Sequence, residues 1–105
     1  AVRESAEACG QMFVTERWLG GTLTNLSTVK RSLKRLSEIE RMEADGSINR
    51  YVKQEQSAIR REAARLVKNL GGLRELEKDA LPSAIFVVDV KREHNAVNEG
   101  RRLGI

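Results

Sequence analysis

The residues best placed to do chemistry are four cations in close succession. Lys30, Arg31, Lys34 and Arg35 make two like-charged pairs at i, i+4, a spacing that costs an isolated helix a few tenths of a kcal/mol per pair. Such a set calls for an external anion, because no acid stands between Arg17 and Ser37. Arg60, Arg61, Arg65 and Lys68 repeat the basic character further along, whereas Glu38, Glu40, Glu43 and Asp45 crowd together in between. A formal net charge of +4 and a sequence pI of about 9.6 favour a polyanionic partner. Acidic proteins and anionic lipids share that attraction.

Two helical patterns must position these charges. Leu26, Val29, Leu33 and Leu36 recur at steps of three and four, and Val52, Ile59, Ala63, Leu66, Leu70 and Leu73 keep a heptad register in which Gln56 is the weak position. The turn signal Asp45-Gly46-Ser47 lies between them. The spacing predicts an antiparallel coiled-coil hairpin over residues 22–73, basic at its root, acidic near its turn, with a seam that loosens toward the tip. Thr22 or Thr24 is placed to cap the first arm. Ile48 to Tyr51 reads as irregular, and Gly71-Gly72 as the end of the second arm.

Around the hairpin the sequence reads as α/β. Residues 2–8 form the tail of a helix ending at Gly10. Met12-Phe13-Val14 and residues 83–89 are apolar runs of the kind found in strands buried on both faces, and residues 93–103 follow as a surface helix with Ala96, Val97, Gly100 and Leu103 inward. A polar linker covers residues 74–82. Two strands tied to helices imply a parallel sheet from which the hairpin projects, and further strands beyond these residues, since two alone do not make such a sheet stable. The organisation is therefore residues 1–21 and 74–105 as two pieces of one α/β domain and 22–73 as the inserted hairpin. The opening at Ala1 and the close at Leu103-Gly104-Ile105 read as an excerpt.

Composition narrows the function. With 40% hydrophobic, 4% aromatic and 32% charged residues, the core is thin for the length. The longest apolar run, residues 84–88, falls far short of the ~20 residues a membrane span needs. A soluble, cytosolic protein is expected. One cysteine and one histidine, Cys9 and His94, do not supply a metal site of the usual ligand count, and Cys9 reads as a small buried hydrophobe. Glycines 20 and 21 lack the spacing of a phosphate-binding loop. Asp89 and His94 mark where a catalytic site would lie in an open α/β sheet, yet neither has a nucleophile or third orienting group beside it. No catalysis, metal or cofactor is expected. Trp18 is suited to anchoring the hairpin root with its indole N–H on an acceptor, or to stacking on an extruded base. Asn25 is suited to bracing the helix start or to bonding a ribose or phosphate.

Three stretches carry a family likeness. They are Phe13-Val14 with Arg17-Trp18-Leu19-Gly20-Gly21-Thr22-Leu23-Thr24-Asn25, then Leu70-Gly71-Gly72-Leu73, then Leu81-Pro82-Ser83-Ala84-Ile85-Phe86-Val87-Val88-Asp89 with Glu93, Val97, Glu99 and Leu103-Gly104-Ile105. In this order, with a long hairpin between the first two, the chain resembles the central segment of the bacterial small-subunit ribosomal protein S-two family. The resemblance implies a Rossmann-like, flavodoxin-like α/β domain with a protruding hairpin, a structural role in the small ribosomal subunit in the cytoplasm, and binding to its rRNA. It also implies protein neighbours including ribosomal protein S-one. Carried onto this sequence, phosphate contact falls to Arg17, Lys30, Arg31, Lys34, Arg35, Arg60, Arg61, Arg65 and Lys68. The competing reading is a coiled-coil module that grips protein without touching RNA.

Overall fold

The structure, a computed structural model, describes residues 1–77 and 81–105. Helix α1 spans Val2–Ala8, α2 Leu26–Asp45, α3 Lys53–Leu70 and α4 His94–Arg102, with 3-10 turns at Ser47–Arg50 and Gly71–Glu77. The molecule measures 45 Å along its longest axis against 27 and 25 Å across. A helix of the length of α2 supplies about 30 Å of this at 1.5 Å per residue.

Local chemistry sets the two ends of α2. Before it, Gly21 takes φ +86° and its carbonyl accepts from the Asn25 N–H at 2.7 Å, while the Thr22 hydroxyl donates to the Leu19 carbonyl. After it, Gly46 closes the helix at φ +80°, the left-handed region where a side chain is strained. The Asp45 carboxylate then accepts the Ser47 N–H at 2.8 Å, which directs the chain into the 3-10 turn.

The apolar seam is where its periodicity puts it. Val29, Leu33, Leu36 and Ile39 of α2 are buried. Val29 and Leu33 form one cluster with Leu70, Leu73 and Leu76, onto which Met12, Val14, Leu26 and Leu66 pack. The residues expected to be a polar linker from Arg74 begin instead within 3-10 turns over Gly71–Glu77 that kink at Leu73 (φ −110°, ψ 17°), and Leu73 and Leu76 both reach the core. The tip is also tighter than its sequence suggests. Ile39 and Ile48 are almost fully enclosed, and Ile48 lies in a 3-10 turn where irregular chain was expected. Val52 is the seam residue that fails. It caps α3 in an extended conformation and is 64% exposed.

The expected parallel sheet is corrected: the described residues contain no strand. An apolar run signals a preference for burial, but a strand also needs a partner for its backbone groups. Among the described residues, residues 84–88 make no backbone hydrogen bond, and Met12-Phe13-Val14 makes one, from the Phe13 N–H to the Gly72 carbonyl at 3.1 Å. Side chains alternate along the later run all the same, with Ile85 and Val87 half-buried and Phe86 and Val88 exposed. Burial on both faces does not occur. Cys9, expected inside, is exposed, and its thiol lies 3.3 Å from the Ser5 carbonyl. Leu103, expected inward, is exposed.

Gly72 is where the chain turns back across the seam, tight against Phe13. A Cβ there would overlap the Phe13 carbonyl oxygen and stand 2.7 Å from ring Cδ2, whereas one at Gly20 meets nothing within 4 Å. Gly72→Ala is expected to destabilise the protein by about 1–3 kcal/mol through overpacking, with Gly20→Ala within about 0.5 kcal/mol of wild type. Urea denaturation midpoints of the two variants check this.

Candidate nucleic-acid interface

Both hairpin helices carry the cations singled out by the sequence, but those cations fall into two groups. Arg35 donates from Nε and Nη2 to Glu62 Oε1 and Oε2 at 3.1 and 3.2 Å, and its Nη1 lies 3.9 Å from Glu38. Arg60 holds Glu43 in the same forked way, 2.6 Å from Nε to Oε1. These two arginines are committed within the chain. The hydrogen bonds from Arg35 hold the Glu62 carboxyl below the usual carboxylate range, with the charges of Arg35 and Arg65 adding to the effect. Arg74, which the sequence reading left out, pairs with Glu40 at 2.7 and 3.1 Å. The acidic residues near the tip thus serve largely as partners within the hairpin.

Arg17, Lys30, Arg31, Lys34, Arg61, Arg65 and Lys68 form no salt bridge among the described residues. Of these Lys30 is half-buried and the others are exposed. They do not make one continuous surface. Arg31 lies one turn before Arg35, and Arg65 lies three residues beyond Glu62, so the Arg35–Glu62 pair gathers Arg31, Arg35 and Arg65 on one flank. Lys30 and Lys34 sit about 100° round α2 from that flank, at 3.6 residues per turn. On α3, Arg61 and Arg65 border a shallow depression over Ala58 and Ala64. Arg41, Arg50, Lys53, Lys91, Arg92, Arg101 and Arg102 are also exposed and outside the salt bridges of the described residues. The sequence reading passed over them because they are scattered or mixed with acids.

The root is fixed by a carboxylate. Glu99 of α4 is 9% exposed. Its Oε2 accepts the Trp18 indole N–H at 2.8 Å and the Gly21 N–H at 3.1 Å. Its Oε1 accepts the N–H groups of Leu23 and Thr24 at 2.9 and 3.3 Å and faces the Thr24 hydroxyl at 3.4 Å. Burial alone pushes the Glu99 carboxyl up, but hydrogen bonds from Trp18, Leu23, Gly21 and Thr24 outweigh it and the net direction is down. Trp18 is therefore an anchor with its indole engaged, half-buried. Asn25 is the N-cap of α2 without a side-chain bond to the backbone; its Oδ1 accepts from the hydroxyls of Thr28 at 3.1 Å and Ser27 at 3.4 Å. Thr24, like Thr22, turns away from capping. Glu99 entered the sequence reading only as part of a family motif. The trace available was its place on the inward face of α4, beside Ala96 and Gly100.

Asp89 and His94 are both taken up locally. Asp89, at φ +64°, accepts the Arg92 N–H at 3.3 Å, and His94 Nδ1 lies 3.3 Å from the Lys91 carbonyl. No group of side chains suited to a metal ion occurs among the described residues, and no described helix is long and apolar enough to cross a membrane.

The family model for ribosomal protein S2 matches residues 1–105. The chain is 47% identical over 104 residues to the small ribosomal subunit protein uS2 of Treponema pallidum (strain Nichols), a match covering 99% of this chain and 35% of that protein. It is 49% identical over 104 residues to the small ribosomal subunit protein uS2 of Chlorobaculum tepidum, covering 99% of this chain and 41% of that protein. The chain thus spans well under half the length of these relatives.

Glu62→Gln is expected to cost below about 1 kcal/mol, since the Arg35–Glu62 side chains are more than a third exposed and solvent screens them. Denaturation at rising salt should show the difference shrinking. Glu99 has a folded pKa below its unfolded value, so its contribution is complete above the ordinary glutamate value of about 4.3 and is lost as pH falls through the folded value. Trp18 emission, corrected with Trp18→Phe, should change over that acid window and stay constant above pH ~6.

Proposed function

The chain belongs to the ribosomal protein S2 family, and from that premise we propose that it is the rRNA-binding segment of a small-subunit ribosomal protein. It works on the cytoplasmic ribosome, where it binds phosphates and performs no catalysis. The observation that carries this reading is the division among the hairpin cations: Arg35 and Arg60 are matched by carboxylates of the same chain, while Arg17, Lys30, Arg31, Lys34, Arg61, Arg65 and Lys68 are outside the salt bridges of the described residues. Cations left to solvent on a stiff support can each neutralise a phosphate and release counterions. Such contacts place a protein on RNA without reading its bases.

The geometry refines the assignment in two ways. Arg35 and Arg60 act first as cross-links of the hairpin, so their contribution to RNA is secondary. Arg31 and Arg65, brought to one flank by the Arg35–Glu62 pair, are the pair most favourably placed to touch the same stretch of backbone. Trp18, its indole N–H engaged by Glu99, serves as structure in this reading. Neighbouring small-subunit proteins, ribosomal protein S-one among them, are the protein partners in this reading, docked on surfaces other than the cationic flank.

The test is filter binding of small-subunit rRNA by the full-length parent protein over a salt series. Lys30→Glu, Arg31→Glu and Lys34→Glu combined are expected to weaken binding at least tenfold at physiological salt. The log–log salt slope should fall by about one for each phosphate no longer neutralised, with helix content by circular dichroism unchanged. Arg65→Glu should act in the same direction. Binding that ignores both salt and these reversals would instead favour the hairpin as a protein-gripping coiled coil.

A further inference from the structure

The join between α4 and the hairpin root is unusual in its composition. Five donors converge on Glu99, namely Trp18 Nε1, the N–H groups of Gly21, Leu23 and Thr24, and the Thr24 hydroxyl. All of them belong to the short segment that leads into α2, which begins at Leu26. The site needs acceptors on both arms of one flat group, and a carboxylate supplies that. An amide would turn its NH2 toward two donors whichever way it lay.

Among the described residues α4 packs against none of the other helices. Its inward side meets chain instead, with Gly100 against Ile85 and Ile105. A second tether of the hairpin runs through Gly72 and Phe13, where the Phe13 N–H donates to the Gly72 carbonyl. Since α2 rises about 1.5 Å per residue from Leu26, a swing of about 10° at its root moves its tip by roughly 5 Å and the backbone at Lys30, Arg31 and Lys34 by roughly 1–2 Å. A direct phosphate contact of about 2.9 Å is stretched out of hydrogen-bond range by a shift of that size, so several such contacts are met together in one direction of the hairpin.

We propose that Glu99 is a positioning residue that aims the hairpin. It touches no RNA; it clamps residues 18–24 against α4, so that the cations of α2 and α3 meet the RNA backbone in one fixed direction. This rests on the rRNA-binding reading above for its functional consequence and stands apart from it in its structural one.

Both consequences can be read in the full-length parent protein, made otherwise cysteine-free. Spin labels at Ala44→Cys near the tip and Asn95→Cys on α4 report the direction of the hairpin, and labels at Ala44→Cys and Ala64→Cys report its internal integrity. Glu99→Gln should broaden the 44–95 distance distribution and leave the 44–64 distribution narrow. It should lower rRNA affinity about tenfold with the salt slope unchanged, since the same phosphates are met once the loosened hairpin points the right way, a state then only about a tenth populated. Trp18→Phe, which removes one donor of the five, should do the same to a smaller extent. Charge reversal at Lys30, Arg31 and Lys34 should show the opposite split, a lower slope with both distances intact. A narrow 44–95 distribution in Glu99→Gln overturns the proposal. So does disappearance of the 44–64 distance, which would make Glu99 a general support of the fold. If the wild-type protein does not bind rRNA, the functional reading falls, while the 44–95 distances still decide whether Glu99 sets the direction.

Discussion

Everything in this chain depends on the return of the backbone over the hairpin seam at Gly71–Glu77. Two helices alone would leave the apolar stripe of α2 open along one side. Leu73 and Leu76 close it, sharing one buried cluster with Val29, Leu33 and Leu70. In a protein with so few aromatic residues this is the main store of apolar burial. The hairpin can therefore be long and thin and still hold its cations in place. The close approach of Gly72 to Phe13 lets the return happen at that level of the seam.

Charge is then distributed around a support that is already fixed. The forked pairs Arg35–Glu62 and Arg60–Glu43 join α2 to α3, and Arg74–Glu40 joins the return segment to α2. Each is partly exposed and contributes little energy by itself. They follow the rotation of one helix against the other that the apolar seam sets, and that rotation decides which cations outside the ion pairs of the described residues share a side. The acids near the tip, which in sequence look like a repelling block, are largely absorbed in this way. What is left for a polyanion lies mainly nearer the root.

The sequence revealed the hairpin because side-chain periodicity reports burial directly: Val29, Leu33 and Leu36 are inside as their spacing requires. It was less informative where burial and hydrogen bonding part company. Residues 84–88 are apolar enough for a strand and have no ladder partner among the described residues, so the expected sheet does not form. Val52 fits the heptad but precedes the first turn of α3 and points out. Leu76 was hidden in a stretch that looks polar on average. The cationic character of the site was legible, but its division was not, because the relative rotation of two helices is a property of the packed pair. The part played by Glu99 was least legible, since its donors lie 75 to 81 residues away and four of the five are backbone N–H groups or the lone indole.

Phe86 is 94% exposed, and Val88 and Val90 are each 58% exposed, where the chain passes through a bend at Val88 and Asp89 into the turn before α4. Exposed apolar side chains beside the amide and carbonyl groups of residues 84–88, which make no backbone hydrogen bond among the described residues, are a template for any passing chain. Such a stretch, left uncovered, would hold copies of the chain together through side chains such as Phe86, forming clumps of no fixed size.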